Sequence, residues 1–143
     1  MRGVLSEKDA VIHVWDVHEL VLQAKNLYDN PYTDVTVWAE LKGPDFSKRV
    51  YGFWDGGNIW RIRVTATAPG TWSWVTGASV QDDGLCGRSG AYFALEWTEE
   101  EKQENSCRRG MIRATANGHA MEYADGTPYL MVGDTWWALA SFR

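Results

Sequence analysis

Between Trp60 and Thr67 apolar and polar residues alternate strictly. Trp60, Ile62, Val64 and Ala66 share one parity and Arg61, Arg63, Thr65 and Thr67 the other, the two-residue period of a strand with one dry and one wet face. The same period recurs from Asp34 to Lys42, where Val35, Val37, Ala39 and Leu41 oppose Thr36, Trp38 and Glu40. That parity leaves Trp38 as the exposed aromatic. Two turn signals flank the first strand: Asp55-Gly56-Gly57-Asn58, where glycine takes positive φ without steric cost, and Ala68-Pro69-Gly70, which suits a type II turn. The stretch from Val50 to Val75 therefore reads as a three-stranded antiparallel meander. Trp60, Trp72 and Trp74 share parity with apolar neighbours, which turns them inward and makes this meander the structural centre.

The rest of the chain extends the pattern. Residues 1–10 read as a loose leader, and Val11 to Lys25 as one long strand with His13 and His18 on opposite faces. Asn26 to Thr33 is a turn region around Asn30-Pro31-Tyr32, because proline lacks a ladder donor and pushes the preceding residue towards extended geometry. Gly43-Pro44-Asp45 turns the chain into the meander. The polar connection from Gly77 to Gly90, which holds Asp82-Asp83-Gly84, is too long for a tight hairpin and is read as a crossing between sheets. Ala91 to Trp97 is a further strand. Thr98 and Glu101 have capping-box spacing, but the run Thr98 to Glu104 is short and has no apolar stripe, so a solvated loop is the preferred reading. Six or seven short strands with frequent Gly, Pro and Asn turns predict an all-β fold, an immunoglobulin- or fibronectin-like antiparallel β-sandwich over residues 11–115.

From Arg109 the text changes. Gly110 to Ala114, His119 to Tyr123 and Pro128 to Val132 read as short strands, the last two joined by a hairpin at Asp125-Gly126. Asp134 or Thr135 can then cap a helix starting near Trp136. The sequence stops at Arg143, barely two turns into that helix, which predicts that residues 116–143 are the front of a longer domain.

Composition alters this picture at one point. Hydrophobic residues make up 45% and charged residues 23% of the 143, ordinary for a globular domain, but nine are tryptophan. So many rings point to an aromatic core, to sugar-stacking surfaces, or to both. The net charge of −5 without a Lys/Arg cluster argues against nucleic acid as a partner. No apolar run approaches membrane-spanning length, and the first residues lack the apolar middle of a signal peptide. Cys86 and Cys107 have neither C-x-x-C spacing nor a neighbouring histidine, so they are read as one disulfide or two free thiols rather than metal ligands. The three histidines do not converge. No cofactor and no metal are expected.

Asn30-Pro31-Tyr32, Gly52-Phe53-Trp54-Asp55-Gly56, Trp60-Arg61-Ile62-Arg63, Pro69-Gly70-Thr71-Trp72-Ser73-Trp74 and Arg109-Gly110-Met111-Ile112-Arg113 follow one another in an order that resembles an N-terminal β-sandwich domain of unknown function found ahead of bacterial glycoside hydrolase barrels. Tyr123 to Leu130 with Gly133-Asp134-Thr135-Trp136-Trp137 resembles the opening of the apiosidase-like (β/α)8 catalytic domain that follows it. The acidic linker from Glu96 to Ser106 matches nothing in that family. The resemblance implies a non-catalytic accessory domain that supports the barrel or borders its substrate cleft, in an extracytoplasmic bacterial protein. Its partners would be the missing barrel and a polysaccharide or oligosaccharide.

Glycoside hydrolysis needs two carboxyls held roughly 5 to 10 Å apart. The family carries them on later strands, so no catalytic residue is assigned and this chain alone is expected to be inactive. Asp134 would sit at the end of the first barrel strand, where barrel sites are built, and either contacts substrate or caps the helix. Trp136 and Trp137 either floor a sugar subsite or pack that helix. Trp38 is the candidate stacking platform of the alternative reading, a carbohydrate-binding module. Its other reading is an apolar surface covered by the barrel. Arg61 and Arg63, on the wet face, are expected to pair with Glu40 or with barrel acids.

Overall fold

The computed structural model describes residues 11–133. The chain divides into two compact units, one running to Arg108 and the other beginning at Arg109. The first is a β-sandwich. Its larger sheet is built from β1 (Val11–His13), β8 (Ser89–Leu95), β7 (Gly70–Ala78), β3 (Val37–Gly43) and β4 (Phe46–Tyr51), in that spatial order. Its smaller sheet is β2 (Val17–Gln23), β6 (Ile59–Thr65) and β5 (Phe53–Trp54). Every pairing is antiparallel except β1 with β8, which is parallel and departs from the all-antiparallel expectation.

The inner faces follow the parity of the sequence. Val37, Ala39, Leu41, Trp72, Trp74 and Tyr92 from the large sheet and Leu20, Leu22, Trp60, Ile62 and Val64 from the small one form a single buried cluster. Trp60 and Trp72 are 1% and 0% exposed. Three tryptophans are seated on glycines of neighbouring strands. A Cβ at Gly43 would stand 2.4 Å from the Trp72 ring, one at Gly90 2.6 Å from Trp74, and one at Gly77 2.7 Å from Trp38. Trp74 pairs directly with Gly90, and Trp38 with Gly77. A large ring lies flat across a strand only where its cross-strand partner has no side chain.

Two segments that read as single strands are broken at the corners between the sheets. The long strand from Val11 splits at Val14–Asp16: the Val14 amide donates to Leu95 in the large sheet, while that of Trp15 donates to Ala66 beside the small one. Trp15 takes φ 68° at this corner. His13 and His18 thus belong to different sheets, His13 stacked on Trp97 and His18 beside Tyr92. The second break is Gly52, between β4 and β5, whose amide donates to Val37. A Cβ there would lie 2.5 Å from the Arg61 carbonyl and 2.7 Å from Ile62, so only glycine lets the chain pass between the layers.

These corners overturn the meander. Asp55–Asn58 closes the predicted hairpin between β5 and β6, but Ala68-Pro69-Gly70 carries the chain from the small sheet to the large one, and β6 and β7 never pair. A proline-glycine turn fixes a local reversal, not the sheet that the next strand joins. Conversely, the segment after Gly77 does not cross between sheets. It is the long connection of the β7–β8 hairpin, with Val75 opposite Ser89. The run after Thr98 is a helix and not a loop. In α2 (Glu99–Glu104) the Thr98 hydroxyl accepts from the Glu101 amide and the Glu101 carboxylate accepts from Thr98, a complete capping box. Lys102 fixes it further by reaching Glu96 and Glu99. A four-residue helix, α1 (Pro31–Asp34), occupies the predicted turn region.

The second unit, by itself, is a three-stranded antiparallel sheet of β9 (Ile112–Ala114), β10 (Met121–Tyr123) and β11 (Pro128–Tyr129), with the predicted hairpin at Asp125-Gly126. Gly126 takes φ 87°. Arg109 donates to Asp125 and Thr127 at 2.9 and 3.0 Å and pins the hairpin to the start of the unit.

Candidate functional site

Asp134, Trp136 and Trp137 lie outside the described residues. Trp38 lies on the outer face of the large sheet as its parity requires, but it is half-buried. Its ring rests on Gly77, and the Arg49 guanidinium stands over it, 4.5 Å from the ring centre. Arg49 is fixed in turn by Glu40, its cross-strand partner. A platform for a sugar needs a free face, and these neighbours flank the ring of Trp38. The more exposed aromatics are Tyr32, Tyr51 and Phe93.

The outer face of the small sheet carries a charged cluster. Glu19 accepts from Arg61 and Arg63, and Arg61 also donates to Asp55. This replaces the expected pairing of both arginines with Glu40, which lies in the other sheet and engages Arg49. Hydrogen bonds from Arg61 and Arg63 hold the Glu19 carboxyl below the usual carboxylate range. A glycosidase general acid needs the opposite shift, so that it keeps its proton until the leaving group takes it. The cluster is an ion-pair network that keeps the Glu19 carboxyl ionised.

At one end of the sandwich the segment 24–34 and the turn 55–58 come together through a feature that the sequence reading passed over. Asp82, only 2% exposed, accepts from the amides of Lys25 (3.0 and 3.1 Å), Asn26 (2.8 Å) and Gly84 (2.7 Å) and from the Tyr28 hydroxyl (2.9 Å). Burial alone would raise its pKa, but the three amides and the hydroxyl outweigh it and hold the carboxyl below its usual value. The bond to Gly84 is the Asx turn that Asp82-Asp83-Gly84 suggests. The bonds to Lys25 and Asn26 span more than fifty residues, which no local pattern reveals.

In front of this node lies a cleft of about 360 Å³ lined by Asn26, Leu27, Tyr28, Pro31, Gly57, Asn58 and Trp60. None of these side chains is charged. Asn26 and Asn58 each spend an Nδ2 hydrogen on a backbone carbonyl, that of Gln81 at 3.1 Å and that of Ala24 at 3.3 Å. Tyr28 stands edge-on to Trp60 with ring centres 6.0 Å apart. The Trp60 indole N–H is buried without an acceptor among the described residues.

Elsewhere the described residues contain no cluster of three or more His, Cys, Asp or Glu able to hold a metal ion, and no helix long and apolar enough to cross a membrane. Cys86 and Cys107 are both free thiols, the former 3.2 Å from the Val80 carbonyl.

With this architecture in view, comparison with known proteins is informative. No protein of curated function matches the chain. Over 83% of its length it superposes, with a TM-score of 0.68 and 28% identity, on a solved structure of a putative glycoside hydrolase from Bacteroides vulgatus. It spans only 21% of that protein. Residues 11–79, from β1 to the end of β7, match the family described as Domain of unknown function (DUF5060).

Proposed function

We propose that this chain is a non-catalytic accessory β-sandwich of a multidomain glycoside hydrolase, which supports an apiosidase-like (β/α)8 barrel or borders its substrate cleft. Residues 116–143 would then begin that barrel, with Asp134, Trp136 and Trp137 at its first strand and helix, in an extracytoplasmic bacterial protein. The observation that carries the reading is the match at 28% identity to about a fifth of a putative glycoside hydrolase, the remaining length of that protein having no counterpart here. Two carboxylates of the small sheet's outer face, Glu19 and Asp55, are both held by Arg61.

The test is made on the protein encoded by the complete reading frame, with and without residues 11–108. A supporting domain predicts that the deletion lowers the melting temperature and the glycosidase activity of the remainder. A remainder that melts and turns over unchanged refutes that role. In the second reading, saccharide binding through Trp38, the aromatic lies on an outer sheet face, where such surfaces are built, but its ring is flanked by Gly77 and Arg49. The variant Trp38→Ala separates the two, since only the second makes glycan binding depend on it.

A further inference from the structure

The cleft in front of Asp82 has features of a ligand site that neither the accessory role nor the Trp38 reading uses. Its volume of about 360 Å³ falls within the range of small-molecule sites. Its lining is mostly apolar, with a few polar groups held in place. The Asn26 and Asn58 amides are pinned through Nδ2, and their Oδ1 atoms accept no hydrogen bond among the described residues. Tyr28 is immobilised by its hydroxyl on Asp82, and the buried Trp60 closes the back of the cleft. The mouth is formed by Leu27, almost fully exposed, and by Gly57, beside which a side chain would meet open space.

We infer that this cleft is a subsite for a neutral saccharide. Three features set the ligand class. Free amide oxygens are acceptors for hydroxyl donors. The faces of Tyr28, Pro31 and Leu27 suit the C–H surface of a pyranose ring. The lack of any charged lining residue gives an anionic or cationic ligand nothing to pair with and a desolvation cost to meet. The site is preorganised: Asp82 anchors Lys25, Asn26 and Tyr28 from behind, so little ordering remains to be lost on binding. This subsite does not depend on the accessory role, since the sandwich could hold a sugar with or without a barrel beside it.

The experiment is a titration of the 143-residue chain with xylotriose, cellotriose, mannotriose and galactotriose, and with trigalacturonate as the charged control. It is followed by tryptophan emission and by amide chemical shifts. At least one neutral trisaccharide should bind, shifting the amides of residues 26–31 and 57–60, while trigalacturonate does not. Asn58→Ala should weaken binding about five- to tenfold, the loss of one hydrogen-bonding group. Leu27→Ala, at a position too exposed to affect folding, should weaken it by a smaller factor, and Trp38→Ala should leave it unchanged. No shift with any neutral sugar at millimolar concentration overturns the inference. Equal binding of trigalacturonate, or affinity lost in Trp38→Ala but kept in both cleft variants, does so as well.

Discussion

Replacing Asp82 by alanine removes one carboxylate and strands four donors. The amides of Lys25, Asn26 and Gly84 and the Tyr28 hydroxyl all point at a site that is 2% exposed, where water does not readily replace the lost acceptor. A hydrogen bond to a charged group is worth about 1.5–3 kcal/mol, and a buried donor left unmade costs about 1–3 kcal/mol. The four losses share one site and do not add, which puts Asp82→Ala at about 3–5 kcal/mol. For a unit of this size that lowers the melting temperature by about 10–25 °C. Asp82→Asn keeps one acceptor oxygen and turns a second donor towards the others, which places it between the two. Calorimetry at neutral pH measures the series, with Asp83→Asn as control, because Asp83 is exposed and its one ion pair among the described residues is with Lys25 Nζ at 3.8 Å. The folded-state pKa of Asp82 lies below its ordinary value. Its contribution is therefore complete above the unfolded value of about 4 and is lost as pH falls through the folded value. The stability gap between wild type and Asp82→Ala should narrow on acidification below about pH 4. A gap under about 1 kcal/mol at neutral pH, or an Asp83→Asn variant that loses as much, would refute the claim that this carboxylate ties the 24–28 segment to the β7–β8 connection.

The glycines that seat tryptophans, the corner glycine Gly52 and the helix cap yield four further variants. Gly90→Ala forces Trp74 out of a buried position and should cost about 1–3 kcal/mol in denaturant unfolding. The equivalent Gly77→Ala should cost less, because Trp38 can swing towards solvent, and tryptophan emission should then shift to the red; equal losses at both sites would contradict this. Gly52→Ala should destabilise more than Gly77→Ala, since its Cβ meets the backbone carbonyl of Arg61 and not a movable ring. Thr98→Ala removes the hydroxyl half of the capping box and should cost about 0.5–2 kcal/mol, read as faster hydrogen exchange confined to residues 99–105. Unchanged exchange there would mean that the contacts of Lys102 and Arg108 hold α2 without the cap.

Strand parity was sufficient to place the core. Trp60, Trp72, Trp74 and the Val37–Leu41 face are buried because a two-residue period leaves a strand in a layered fold no alternative. Beyond the β5–β6 hairpin at Asp55–Asn58, which strands share a sheet was not legible. That depends on corners at Trp15, Gly52 and Pro69, where the local sequence specifies a bend and the packing of the two layers decides where the next strand goes. The run after Thr98 is helical despite its shortness and its lack of an apolar stripe, because the capping box that the Thr98/Glu101 spacing allows is complete and Lys102 reaches Glu96 and Glu99, contacts that the spacing alone does not reveal. The candidate site divides in the same way. Trp38 was found by parity, but its flanking by Gly77 and Arg49 depends on strand register. The cleft was hidden because Asn26 and Asn58 read as turn residues and Trp60 as core, and they meet only once Asp82 draws in the 24–28 segment.

The central claim, that this sandwich accompanies glycoside hydrolysis without performing it, is tested most directly by a panel of fluorogenic aryl glycosides. They are assayed with the 143-residue chain and with the protein encoded by the complete reading frame. The account predicts no release above background by the chain and release from at least one glycoside by the whole protein. Turnover by the chain alone, or a whole protein that hydrolyses none of the panel, would contradict it.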